Sequence, residues 1–142
     1  MKRKDRYPDT DTFHFHNQNP RNRYTGDCVH RALSLACDIP YNDVVMELAQ
    51  LHCKTGYAEP IDKFLELHGF VKCKQPRKPD NKKYTGEEFC RGLQTKTFND
   101  VTYEHRIVAN IGGNHIVAII DGKVNDIWNS TCGCIGKYWV KR

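Results

Sequence analysis

Apolar positions in the first half of the chain recur at helical spacing. Cys28, Ala32, Leu35 and Ala36 share one face, which predicts a helix over 28–37 with Asp27 as its N-cap. Asp38-Ile39-Pro40 breaks it, and Pro40 suits the start of a second helix over 41–53, buried through Val44, Val45, Leu48, Ala49 and Leu51. Thr55-Gly56 ends that helix. A third, over 59–68, has Pro60 in its first turn, Gly69 as its stop, and Ile61, Phe64, Leu65 and Leu67 as its stripe. Phe70 to Cys73 reads as a short edge strand, and the lysine-rich stretch with Pro76 and Pro79 as an exposed loop reaching Tyr84. Thr85-Gly-Glu-Glu88 is a capping-box pattern, opening a short helix through Phe89 and Leu93 before a polar stretch over 94–104.

The period then changes. Arg106 to Ile111 is a strand, Gly112-Gly113 a turn, and His115 to Ile120 a second strand. Asp121-Gly122 is a two-residue hairpin signal, so 123–128 returns as a third strand, and 137–140 supplies a last one. Helices first and strands afterwards predict an α+β domain, with N-terminal helices packed on a C-terminal antiparallel sheet.

At 142 residues the chain is expected to form one domain over 22–142, preceded by a polar arm over 1–21. Within the arm, Phe13-His14-Phe15-His16 alternates as a short extended piece laid on the body; its histidines are read as exposed rather than as metal ligands. No run of 18 apolar residues occurs, so no membrane span is expected. The basic N-terminus lacks the apolar run of a secretion signal, and seven cysteines without a disulfide-framework spacing fit reduced thiols in a cytoplasm. The net charge of +5 gathers in the arm and between Lys72 and Lys83. That patch is compatible with nucleic acid, but solvated loops have the same composition. No cofactor is expected.

Cys28 stands where a nucleophile belongs. A thiol on the first residue of a helix meets the positive end of the dipole and unpaired amides, both of which favour thiolate. His115 opens the most apolar strand. With a two-residue turn at 121–122, Ile120 faces Lys123 and His115 faces Trp128, which puts Asp126 on the His115 face one diagonal step away. A three-residue loop or a bulge flips the parity and brings Asn129 there instead. Either residue is able to orient the imidazole, with Asp126 favoured by the turn sequence. Asn22, six residues before Cys28, is a candidate oxyanion donor beside the Cys28 amide, with Gln18 in reserve.

Gly26-Asp-Cys-Val-His-Arg-Ala-Leu33 resembles the nucleophile segment of papain-like cysteine peptidases, in particular the small bacterial, phage and peptide-transporter branches. Gly113-Asn-His-Ile-Val-Ala-Ile-Ile-Asp-Gly122 resembles their His-bearing strand, and Asn125-Asp-Ile-Trp-Asn-Ser130 the strand bearing their Asp or Asn. The order Cys, His, Asp or Asn is that family's order, although Asn22 stands where the family usually has Gln. The resemblance covers about residues 22–38 and 107–130. It implies a cysteine-dependent hydrolase acting on a protein or peptide amide or isopeptide bond through a thioester; 142 residues leave little cleft wall beyond the core, so a narrow substrate is expected. Two other readings are a zinc site on Cys132 and Cys134, completed by Cys53, Cys73 or Cys90, and a non-catalytic papain-like module that binds a partner through the basic loop beside Tyr84.

Overall fold

The computed structural model of the chain describes residues 1–98 and 105–141, so residues 99–104 of the polar stretch expected over 94–104 lie outside the described residues. The elements are α1 (Arg3–Arg6), β1 (Phe13–Phe15), α2 (Cys28–Cys37), α3 (Tyr41–Thr55), α4 (Ile61–Leu67), β2 (Phe70–Cys73), α5 (Gly86–Thr95), β3 (Arg106–Ile111), β4 (His115–Ile120), β5 (Lys123–Asp126) and β6 (Ile135–Lys141). The α+β class is as expected.

Local chemistry accounts for the boundaries. Asp38 and Gly56 close α2 and α3 in left-handed conformation, at φ of 56° and 79°. Thr85 and Glu88 exchange both bonds of a capping box at the start of α5, Glu88 N–H to Thr85 Oγ1 at 3.1 Å and Thr85 N–H to Glu88 Oε1 at 3.0 Å. Two expected inward positions face water. Leu67 is 56% exposed at the end of α4, and Ala49 is exposed on α3, because each lies beyond the strip of its helix that meets a neighbour.

The sheet has the order β1-β5-β4-β3-β6-β2. All of its pairings are antiparallel except that of β1 with β5, which is parallel. The expectation of an antiparallel sheet is therefore corrected to a mixed one. A parallel pair needs a long crossover, and here everything between β1 and β5 in the sequence supplies it. Phe13 alternates into the core with no exposed surface, opposite Val124. The amides of Val124 and His16 donate to Thr12 O and Asp126 O, at 2.8 and 2.9 Å. Part of the arm is thus a strand of the sheet, and Arg3–Arg6 forms one helical turn rather than extended chain.

Helices cover both faces. Val29, Ala32, Leu33 and Ala36 of α2 pack with Val44, Leu48 and Phe64 on Val108, Ile116, Ala118 and Trp139. On the other face, Phe89, Cys90 and Leu93 of α5 pack with Phe13 on Ile107, Ala109, Val117, Ile119 and Tyr138. The β4–β5 hairpin pairs Ile120 with Lys123, Ile119 with Val124 and Ala118 with Asn125, the register expected from its turn. This register sets the end of β5 beside the start of β4. Packing of α2 against β4 then brings the helix N-terminus to the same place.

Candidate active site

Three element ends converge. Cys28 is the first residue of α2, His115 the first of β4 and Asp126 the last of β5. The Cys28 thiol is half-buried beside the His115 imidazole and the Ile116 backbone amide, both of which favour its charged form. His115 Nε2 lies 2.5 Å from Asp126 Oδ2, which leaves Nδ1 as the nitrogen for the thiol. Trp128 covers the imidazole, with ring centroids 5.0 Å apart. The nearness of Asp126 to His115 is what the two-residue turn led the sequence to imply, while Trp128 lies beyond the end of β5.

Asp126 is 1% exposed and both of its oxygens are engaged. Oδ1 accepts from Ile127 N–H at 2.7 Å and from Arg31 Nη1 at 2.6 Å. Arg31, itself 6% exposed, also donates through Nε to Asp27 Oδ1 at 2.8 Å. Asp27 Oδ2 accepts from Asn19 Nδ2 at 3.0 Å and Tyr41 Oη at 2.6 Å. The result is a continuous hydrogen-bonded line from Tyr41 through Asp27, Arg31 and Asp126 to His115, with Cys28 beside its end. Each charge along it meets its opposite, the condition under which buried ions are tolerated.

The position of Asp27 corrects one expectation. It occupies the N-cap position, yet its side chain makes no capping bond, because Arg31, Asn19 and Tyr41 hold the carboxylate. The first-turn amides of α2 are therefore not capped by it and remain available to an anion beside the thiol.

Charge around the thiol is arranged to make it reactive. Burial pushes Cys28 up, but the hydrogen bonds from His115 and Ile116 and the charges of His115 and Arg31 outweigh burial and bring it below its ordinary 9.0. Burial alone acts on His115 in the downward sense. The bonds to Asp126 and Cys28 and their negative charges overcome it, and the imidazole is pushed up to about 9. The two shifts favour thiolate beside imidazolium. Cys37, with no hydrogen-bond partner acting on it, and Cys90, with only the Val124 backbone, are each pushed up by burial to about 12.

The remaining candidates lie elsewhere. Asn129 Oδ1 accepts from the Thr131 amide at 3.0 Å and the Thr131 hydroxyl at 2.6 Å, so it closes its own turn and does not serve His115. Asn22 is exposed in left-handed conformation at φ 59°, its amide bonded to Asn19 O, and it does not line the cavity at Cys28. The turn at 19–22 carries it away from the thiol. Gln18 donates to Ser34 Oγ at 3.0 Å and meets His16 Nε2 at 2.6 Å, farther along α2. The alternating histidines pair locally, His14 with Asp9 at 2.8 Å. Among the described residues no group of three or more His, Cys, Asp or Glu is placed to hold a metal ion.

Two concave surfaces flank the thiol. A cavity of about 250 Å³ is lined by Cys28, His115, Arg3, Arg31, Tyr24 and Trp128, among others. A wider groove of about 660 Å³ begins at Val29, Asn114 and Ile116 and continues over Ile61, Tyr57 and Trp139. Sequence reasoning missed Arg31, Asn19 and Tyr41. The spacing of Arg31 four residues after Asp27 and three after Cys28 was the available signal. No protein-family model, curated protein or solved structure matches the chain. No helix among the described residues is long and apolar enough to cross a membrane.

Proposed function

We propose that the protein is a cysteine-dependent hydrolase of papain-like type, a peptidase or amidase that cleaves an amide or isopeptide bond in a protein or peptide. The observation that carries this reading is the meeting of Cys28, His115 and Asp126, each at the end of its element, with His115 bonded to Asp126, the thiol lowered and the imidazole raised. The order of the three along the chain matches the papain-like order. The reading also places the site in a cytoplasm, where the thiol stays reduced.

The chemistry follows from the groups present. The Cys28 thiolate adds to the acyl carbon, and the carbonyl π electrons move to oxygen. The Cys28 N–H, at the uncapped start of α2, is the donor for that oxyanion. The His115 imidazolium gives its proton to the leaving nitrogen as the C–N bond breaks, which leaves a thioester on Cys28 and a neutral ring. That ring then takes a proton from water, whose oxygen attacks the thioester, and the thiolate departs. Asp126, fixed by Arg31 and the Ile127 amide, keeps the ring oriented and stabilises its positive charge.

The test uses p-nitrophenyl acetate as a minimal acyl donor. Wild type is expected to release p-nitrophenol in a burst, carry one acetyl group on Cys28 and then turn over, while Cys28→Ala does none of these. Equal release by wild type and Cys28→Ala would overturn the reading.

A further inference from the structure

The cavity beside Cys28 has a chemical character of its own. Arg31 binds the two buried carboxylates through Nε and Nη1, and its Nη2 makes no protein hydrogen bond. Among the described residues, Ser130 Oγ is the only fully buried side-chain nitrogen or oxygen without a partner. Arg31 Nη2 therefore keeps an opening, and the cavity that Arg31 lines supplies it. A buried guanidinium, 6% exposed, with Nη2 unbonded and lining the same cavity as Cys28, is an unfilled donor.

Arg3 faces the same space. Its Nε donates to Ile127 O at 2.6 Å, and its guanidinium lies over the rings of Tyr7 and Tyr24, at 5.5 and 5.1 Å. These contacts fix the group while its Nη nitrogens make no protein hydrogen bond. Among the described residues lining the cavity there is no carboxylate: Asp27 and Asp126 lie behind Arg31. The walls are cationic and aromatic, and the volume of about 250 Å³ suits a small group.

We propose that this cavity is a carboxylate subsite, and that the substrate of the Cys28 hydrolase carries a free carboxylate next to its scissile bond. The proposal rests on the hydrolase reading and specifies its substrate class. Arg3 has both Nη nitrogens open, an edge that a carboxylate matches in size and plane by accepting two N–H bonds at once, and Arg31 Nη2 adds one further donor. The groove that begins at Val29 and Ile116 is wider and of mixed character, with Ile61 and Trp139 beside Lys63 and Lys137, so the longer portion of the substrate belongs there. A peptide cleaved close to its C-terminus has both features.

Alkylation provides a test that needs no known substrate. Iodoacetate carries a carboxylate and iodoacetamide does not, and both react when a thiolate displaces iodide. The quantity read is the ratio of the two rates at Cys28, by mass spectrometry, with exposed Cys53 of the same molecule as reference. The ratio at Cys28 is expected to exceed that at Cys53 by about tenfold, the scale of one charge-assisted hydrogen bond. In Arg3→Gln it is expected to fall severalfold toward the Cys53 ratio. Equal ratios at Cys28 and Cys53 in wild type overturn the subsite, and so does a raised ratio that Arg3→Gln does not lower. The iodoacetamide rate alone, followed with pH, reports on the ion pair, so failure of the hydrolase reading shows separately.

Discussion

Cys28 and Cys37 open and close the same helix, and their thiols are displaced in opposite directions from 9.0. Both feel burial. The difference is that Cys28 has His115 and the Ile116 amide as partners, whereas Cys37 has only distant charges. Partner chemistry, more than position on a helix, decides which thiol is reactive. Asp126→Asn preserves the shape of the third residue and removes its charge. It is expected to slow acyl turnover of p-nitrophenyl acetate by about 10²-fold or more, while Asn129→Ala changes it by less than about twofold. Equal effects of the two would contradict the assignment. The choice between these residues was half legible in the sequence. Hairpin register favoured Asp126 but left Asn129 open, because a single inserted residue reverses which face a side chain takes. Asn22 was beyond such reasoning, since its left-handed turn leaves no pattern of apolar positions to read.

At the scale of an element, α2 does more than present a thiol. Its first turn leads in from Asp27, its second carries Arg31 inward, and Arg31 reaches the sheet at Asp126. Arg31→Ala removes the cation between two buried carboxylates. Its cost is expected to be about 3–5 kcal/mol, read as a fall in the urea midpoint at unchanged slope. A loss under about 1 kcal/mol would mean that the two carboxylates find other partners. The apolar stripe gave the existence and limits of α2, and the capping box gave the start of α5. Arg31 was not legible as a core residue, because a charged side chain on a helix is ordinarily in water. Nor was β1, since three residues that alternate Phe-His-Phe specify an extended piece but neither a partner nor a direction.

For the whole molecule, the account depends on helices on one side of the sheet meeting strands from the far end of the chain. Cys28 comes from the first half and His115 and Asp126 from the second, and nothing local holds them together. The helix-then-strand order of the sequence indicated this meeting. The parallel β1 edge and the separate placement of α5 on the opposite face came only with the structure, since both depend on long-range pairing. Hydrolysis is expected to follow a bell in pH. Its acid limb comes from the Cys28 thiol, below 9.0, because activity needs the deprotonated form. Its alkaline limb lies near about 9, where the imidazolium loses the proton that the leaving group requires. The most direct test of the central claim is the rate of Cys28 alkylation by iodoacetamide against pH, in wild type and in His115→Ala. Wild type is expected to react with a midpoint below 9.0. In the variant the midpoint should move upward, since burial is the largest influence on this thiol and His115 is its main opponent. A wild-type midpoint at or above 9.0, or one that His115→Ala leaves in place, would contradict the thiolate–imidazolium pair and the hydrolase built on it.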